Sequence, residues 1–222
     1  MATTTAPPAA GLVPHRFTVA DYYRMLEAGI LAEDDRVELL NGQVVEMSPV
    51  GPPHAAAAEL VRDALQAALG ARAQVRDSKP VDLGEYDEPL PDLAAVRPRA
   101  DRYATAHPTA ADVFWLVEVA DSSLARDQWT KPAIYAAAGI REVWMVNLPD
   151  RVLEVYRDPG PEGYRDRQAH GREARVAPEA FPELGLAVAD LLPPGGPVRE
   201  QARESDPPQR EHGRRQGPEL GR

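Results

Sequence analysis

Acidic side chains stand in or beside apolar, strand-like runs at two places in the sequence, and these are the first candidates for chemistry. Glu118 interrupts the run FWLVEVA, and Asp92 follows Pro91 just before the run LAAV. A buried carboxylate is costly unless it is paired with a cation or binds a metal. Two carboxylates on neighbouring strands would supply the oxygen ligands that Mg²⁺ or Mn²⁺ prefers. The alternatives are a structural arginine beside Glu118 and an ordinary Pro-Asp turn at Asp92.

Lys131 is a third candidate because lysine is rare in this chain. Of the 25 basic residues, 23 are arginine and only Lys79 and Lys131 are lysine. An ammonium is a compact point charge that can orient a water, and its pKa shifts readily when it is buried. A surface ion pair with Asp127 is the alternative, but arginine would serve such a pair equally well. The choice of lysine therefore favours a chemical role, although Lys79 shows that lysine also occurs here without an obvious one.

Three further residues are weaker candidates when judged from the residues alone. Glu38 alternates with apolar neighbours in RVELLNG, and Glu46 has a comparable position on the following strand, so an exposed hairpin face explains both. His54 begins an alanine-rich helix, where a ring nitrogen could contact a phosphate or serve simply as a polar helix start. The chain has no cysteine, which excludes disulfides and thiolate catalysis.

Composition and charge limit the class of protein. A length of 222 residues and 43% hydrophobic content suit one soluble domain. No apolar run reaches about 18 residues and no secretory pattern is evident, so we expect a cytoplasmic protein without membrane contact. A net charge of −10 argues against nonspecific coating of nucleic acid, so a nucleic-acid enzyme would need a local basic face. Arg97, Arg99 and Arg102 could form that face, or they could lie in a solvated loop.

The elements that must position these side chains predict a mixed α/β domain. We expect a flexible N-terminal arm at 1–14, the domain at 15–192 and a disordered tail at 193–222, which has almost no apolar residues. The predicted elements, in order, are a helix from a Thr18 cap to about Ala28, a hairpin at Asn41-Gly42, a helix over 54–69, strands over 74–83, 91–96 and 113–120, a short helix before Gly139, the strands EVWMVN and RVLEVYRD, shorter peripheral strands after Tyr164 and a packing segment over 184–192. Together they suggest a central sheet with a helix pair beside it and the hairpin at one edge.

The order of these motifs resembles the Uma two family, bacterial proteins described as restriction endonucleases. The matching motifs are ELLNG, SP-x-x-x-x-H, PDLAAV, LVEVADSS and D-x-x-x-K-x-x-x-Y-A-A-A-G-I-R-E-V-W-M-V. The resemblance covers roughly residues 16–192, and 118–147 is its most specific part. It implies a PD-(D/E)XK nuclease type of fold: a restriction-endonuclease-like mixed central sheet flanked by helices, with an N-terminal helix and hairpin.

The resemblance also implies roles for the candidate residues. Asp92 matches the motif aspartate and Glu118 the second metal-binding acid. The usual motif lysine lies two residues beyond that acid, where this chain has Ala120, so Lys131 on the following helix must take its place. Pro132 directly follows this lysine, and proline fits the first turn of a helix but not its interior.

Glu38 matches the family's N-terminal glutamate, and His54 matches its helix-start histidine. The resemblance therefore implies an endonuclease dependent on Mg²⁺ (or Mn²⁺) that hydrolyses phosphodiester bonds, with DNA as substrate and a homodimer as the assembly. Asp92 and Glu118 would hold the metal, with Glu38 and the carbonyl of Val119 as further candidate ligands. Lys131 would orient the attacking water or stabilise the transition-state charge, and His54 could contact the phosphate or the water. Two alternatives stay open: a catalytically degenerate nuclease fold that serves as a dimeric binding or regulatory module, and a hydrolase of another phosphate ester.

Overall fold

The computed structural model of the chain describes residues 13–32, 34–121 and 131–194. The helices are α1 Val19–Glu27, α2 Pro52–Leu69, α3 Lys131–Ala137 and α4 Val188–Leu191. The strands are β1 Val37–Leu40, β2 Gln43–Glu46, β3 Gln74–Asp77, β4 Leu93–Val96, β5 Val113–Ala120, β6 Glu142–Asn147, β7 Val152–Gly160, β8 Gly163–His170, β9 Arg175–Val176 and β10 Leu186–Ala187. The predicted arm and tail fall almost wholly outside the described ranges.

A six-stranded sheet in the order β3-β4-β5-β6-β7-β8 forms the centre of the domain. The β5–β6 pair is parallel, and the other neighbours in this sheet are antiparallel. Helices lie on both faces, so the mixed sheet flanked by helices confirms the predicted fold class. The hairpin differs from the prediction, because β1 and β2 form a separate two-stranded sheet instead of an edge of the central one. In the described part of the chain, no helix is long and apolar enough to cross a membrane.

Separate apolar cores cover the two faces of the sheet. On one face Val61 and Leu65 of α2 pack in the same cluster as Trp115 of β5. On the other face Leu116 of β5 lies in a cluster with Tyr135 of α3. Burial on both faces explains why β5 is a nearly continuous apolar run, as expected for a central strand.

Two local signals near the N-terminus form the helix cap and the hairpin turn that the sequence predicted. Thr18 and Asp21 form a reciprocal capping box at the start of α1. Asn41 and Gly42 both have positive φ, 52° and 72°, as a two-residue hairpin turn of type I′ requires. A side chain at position 42 would approach Arg16 Cβ to 2.7 Å, so only glycine fits there.

Two strand predictions were wrong in extent. The strand expected over 74–83 ends at Asp77, because Ser78 adopts a φ of 47° and Pro80 has no N–H to donate to a ladder. The chain beyond it bonds to a later loop, with Val81 N donating to the Pro89 carbonyl at 3.1 Å. β8, expected as a short peripheral strand, pairs along β7 over 8 residues because a tight turn returns the chain directly.

Candidate active site

Asp92 and Glu118 come together because their strands are neighbours. Asp92 immediately precedes β4, and Glu118 lies near the end of β5, where Val117 is paired with Leu93 of β4. The backbone N–H of Val119 donates to Asp92 Oδ2 at 2.7 Å, which fixes the aspartate against the end of β5. The pairing of these two strands thus places both carboxylates at one end of the sheet.

The ammonium of Lys131 lies among these carboxylates. Lys131 Nζ is 3.4 Å from Glu118 Oε1 and 3.0 Å from Glu38 Oε2, and it donates to the carbonyl of Leu90 at 3.1 Å. Pro132 stands in the first described turn of α3, a position that proline tolerates. Asp127, the alternative surface partner of this lysine, lies outside the described residues.

Glu38 is buried, and the expectation that an exposed hairpin face explains it was wrong. A later segment of chain covers this side of the hairpin: Glu88 N donates to the Leu39 carbonyl at 2.9 Å, and Leu90 N donates to Glu38 Oε2 at 3.0 Å. Glu46 on the partner strand is exposed, as that interpretation expected. Glu38 therefore accepts bonds from both the Leu90 backbone and the Lys131 ammonium.

His54 lies in the first turn of α2 and contacts the aspartate. Its Nε2 is 3.2 Å from Asp92 Oδ2, while its Nδ1 is buried without a hydrogen-bond partner among the described residues. Burial lowers the pKa of His54, but the hydrogen bond and charge of Asp92 outweigh that effect and raise it above its ordinary value. The histidine is thus a cationic neighbour of Asp92 over a wider pH range than a free imidazole.

Tyr135 belongs to the site, although we did not single it out from the sequence. Its hydroxyl donates to Glu118 Oε1 at 2.5 Å, and its side chain is fully buried. Tyr135 follows Lys131 by four residues, so one helix turn presents both side chains to the same carboxylate. The spacing K-x-x-x-Y, which is part of the family motif, is the signal that could have identified it.

The site holds more negative than positive charge. Burial raises the pKa of Glu118 to about 7, Lys131 opposes that rise, and Asp92 adds to it. Burial lowers the pKa of Lys131, but Glu118 and Glu38 outweigh it and hold that pKa above its ordinary value. Lys131 therefore stays charged, while Glu118 lacks a full counter-charge.

The donor set fits a hard divalent cation. The contacts described above engage Oδ2 of Asp92 and Oε1 of Glu118, and they leave the second oxygen of each carboxylate for another partner. Within the described ranges, no group of three or more His, Asp or Glu side chains could hold a metal ion. Mg²⁺ is commonly held by one or two carboxylates, with waters and substrate phosphates completing its shell. Two carboxylates with surplus negative charge meet that description.

Comparison with known proteins identifies the family and the fold of the chain. The family described as Uma2, "Putative restriction endonuclease", matches residues 19–189. The chain belongs to this family. A crystal structure titled as a putative nuclease belonging to DUF820 from Anabaena variabilis is similar, with a TM-score of 0.62 and 17% sequence identity over 79% of this chain and 97% of that one. At that identity the likeness shows the fold alone.

Uma2 membership confirms the resemblance inferred from the motif order. No curated protein matches the chain. The Uma2 match and the nuclease-type fold together support a nuclease-like function, and the family suggests a nucleic acid as substrate.

Proposed function

We propose that this Uma2 protein is a divalent-metal-dependent endonuclease that hydrolyses phosphodiester bonds of DNA. The observation that supports this most strongly is the convergence of Asp92, Glu118 and Lys131. Two carboxylates from neighbouring strands lie with an ammonium whose Nζ is 3.4 Å from one of them. This is the combination of oxygen ligands and a cationic donor that phosphoryl transfer requires.

Asp92 and Glu118 would hold Mg²⁺ or Mn²⁺, together with the backbone carbonyl of Val119. When bound, the cation would polarise the phosphate and lower the pKa of an attacking water. Val119 N and His54 keep Asp92 in place, and the Tyr135 hydroxyl keeps Glu118 in place. The carboxylates therefore need little reorganisation before they act.

Lys131 would orient the attacking water or stabilise the negative charge that develops on the phosphate. Glu38 and the Leu90 carbonyl also contact its ammonium, so Glu38 acts as a positioning residue. The standard motif position is occupied by Ala120, whose side chain cannot supply a charge. Lys131 reaches the carboxylates from α3 instead.

DNA cleavage with Mg²⁺ or Mn²⁺ tests this proposal directly. We expect Asp92→Ala and Lys131→Ala to lose about 10²–10³-fold in rate, the usual cost of removing one preorganised charged group. Lys79→Ala is the matched control, because Lys79 is exposed and is the only other lysine of the chain. Equal cleavage by the wild type and all three variants would refute the assignment.

Calorimetric titration with Mn²⁺ separates the enzyme from a degenerate nuclease scaffold. We expect binding by the wild-type protein and its loss in Asp92→Asn and Glu118→Gln. A protein without Mn²⁺ affinity at these residues would instead fit a dimeric binding or regulatory module. Cleavage assays with other phosphate esters test the substrate class, and sedimentation tests the proposed homodimer.

A further inference from the structure

Two arginines, Arg76 on β3 and Arg99 in the segment after β4, lie over the Tyr103 ring, and Arg102 directly precedes Tyr103; we call these three arginines the arginine patch. Arg76 Cζ lies 5.2 Å from the centre of the Tyr103 ring, and Arg99 Cζ lies 4.6 Å from it. Arg76 Nη1 also donates to the carbonyl of Arg102 at 3.4 Å. The patch is therefore a cationic cluster built on an aromatic ring, in a protein whose net charge is −10.

The patch carries more positive charge than its surroundings neutralise. In the described part of the chain, Arg99 is the member with a carboxylate partner, Asp101, at 2.7 Å. Arg76 has a buried Nε without a hydrogen-bond partner there, and Arg102 is exposed. Two guanidinium groups of the described chain therefore lack a counter-ion. A phosphate would supply one, because charge-assisted bonds from arginine to phosphate are short and strong.

This arrangement changes the basic face suggested by the sequence. Arg97 was a candidate for that face, but its guanidinium stacks over Phe114 at 5.1 Å, and Phe114 packs against the core on the opposite face of the sheet from Tyr103. Arg99 is neutralised by its own aspartate. The face is therefore centred on Arg102 and on Arg76, which the sequence did not single out.

The backbone that displays Arg102 is held in an uncommon shape. Arg102 and Tyr103 have φ values of 51° and 62°, in the left-handed region that non-glycine residues rarely adopt. Arg102 N donates to the Arg99 carbonyl at 3.1 Å, and the Tyr103 hydroxyl donates to the Arg97 carbonyl at 2.8 Å. Such strain persists only where surrounding contacts maintain it, so the position of Arg102 is fixed by the fold.

Of the patch, Arg76 is the member that strand pairing places near the carboxylates of the candidate active site. Arg76 is paired with Ala94, two residues after Asp92, on the adjacent strand. Ordinary strand spacing then puts the Cα atoms of Arg76 and Asp92 roughly 8 Å apart. Duplex DNA carries a phosphate about every 3.4 Å of axis on each strand. A duplex with one phosphate at Asp92 and Glu118 therefore has neighbouring phosphates within reach of Arg76.

We propose that Arg76 and Arg102 bind the phosphate backbone of duplex DNA beside the carboxylates of the active site. This inference rests on the proposed nuclease function and identifies the surface through which an acidic protein would hold its substrate. Tyr103 positions the patch, because its ring supports the guanidinium of Arg76 and its backbone continues from Arg102.

The test measures binding without cleavage. Fluorescence anisotropy of a short labelled DNA duplex, in EDTA and over a series of NaCl concentrations, gives the slope of log K against log salt concentration. We expect that slope to weaken by roughly 0.9 for each phosphate that the protein no longer neutralises, in Arg76→Gln and in Arg102→Asn, and by about twice that in the double variant. Asparagine is used at position 102 because it tolerates positive φ.

Arg167→Gln is the matched control. Arg167 Cζ lies 5.2 Å from the Tyr156 ring, the same distance as in the Arg76–Tyr103 pair, but on β8 at the other edge of the sheet. We expect wild-type binding and slope from this variant. Wild-type slopes in both patch variants, or no duplex binding by the wild type, would overturn the inference. Arg102 is exposed, so its variant remains informative if Arg76→Gln fails to fold.

Cleavage assays on the same proteins keep the two proposals apart. A wild type that binds duplex DNA through the patch but never cleaves it with Mn²⁺ contradicts the proposed function alone. A wild type that cleaves DNA while both patch variants keep its salt slope contradicts the patch alone.

Discussion

Glu142 and Glu118 are buried carboxylates on the two parallel strands of the sheet, yet their surroundings differ. Oε1 of Glu142 accepts from Arg157 at 2.7 and 3.0 Å and from the Trp144 indole at 2.7 Å. Its Oε2 accepts from the backbone N–H of Glu179 at 2.6 Å. Glu142 is thus neutralised and bonded through both oxygens, as a structural carboxylate must be when it is fully buried.

Glu118 has weaker compensation for its burial. Its contacts fall on Oε1, from the Tyr135 hydroxyl and from Lys131, and the lysine is shared with Glu38. Burial accordingly raises the pKa of Glu118 to about 7. A buried acid with a dedicated arginine fixes the fold, whereas a buried acid that shares its counter-ion and has a raised pKa is a candidate for a functional site.

Removal of Arg157, the partner of Glu142, should have the largest effect on stability. We expect Arg157→Leu to lower the free energy of unfolding by about 3–5 kcal/mol, because Glu142 would keep a buried charge without a counter-ion. Urea unfolding followed by circular dichroism measures the loss. A loss below about 1 kcal/mol, the range of exposed ion pairs, would contradict the structural role.

Two control variants show whether charge is the cause. Glu142→Gln in the Arg157→Leu background removes the unpaired charge but keeps an acceptor for Trp144, so stability should partly recover. Arg165→Leu breaks an exposed pair with Asp158, and we expect it to cost at most about 1 kcal/mol.

Removal of Lys131 should have a smaller effect that depends on pH. Without the ammonium, the pKa of Glu118 rises above about 7, because Lys131 opposes the effect of burial. Between the unfolded pKa and this raised folded pKa the folded state binds more protons, so stability falls as pH rises. We expect Lys131→Met to cost about 3 kcal/mol near pH 8 and clearly less near pH 5.

Urea unfolding at both pH values checks this prediction. Lys79→Met is the matched control, since its side chain is exposed and its loss should leave stability unchanged at either pH. An equal loss for Lys131→Met at the two pH values would mean that Glu118 does not take up a proton when its partner is removed.

The sequence predicted those parts of the fold and site that depend on local chemistry. Asn41-Gly42 specified the hairpin turn, and the apolar run around Glu118 specified a central strand. The rarity of lysine pointed to Lys131, which the structure places beside the carboxylates. Each of these signals lies within a few residues of the feature that it predicts.

Features set by distant segments could not be predicted in this way. Glu38 is buried because a loop carrying Leu90 covers it, and no pattern near RVELLNG indicates that loop. Glu142, in REVWMV, resembles Glu118 in having apolar neighbours, and only the positions of Arg157 and Glu179 make it structural. Sequence patterns identify buried acids, whereas the partners that decide their roles come from tertiary structure.

Binding of Mn²⁺ should distinguish the two acids in a third way. A ligand at a hundred times its Kd stabilises the folded state by about 2.7 kcal/mol, and calorimetry or thermal unfolding records the shift. We expect this gain in the wild type and in Glu142→Gln, and its loss in Glu118→Gln. An undiminished gain in Glu118→Gln would show that the cation binds elsewhere.

The smallest effect should come from removal of the tyrosine hydroxyl that donates to Glu118, and a second buried tyrosine provides the reference for it. Tyr135 donates to a carboxylate, whereas the Tyr164 hydroxyl donates to the neutral carbonyl of Ile140 at 2.7 Å, and both side chains are buried. Because bonds to charged groups are worth more, we expect Tyr135→Phe to cost about 2 kcal/mol and Tyr164→Phe about 1 kcal/mol. The difference between these two costs should shrink near pH 5, where protonation of Glu118 removes the charge. Equal costs at every pH would show that Glu118 is already neutral in the folded protein, and Lys131 would then be paired with Glu38 alone.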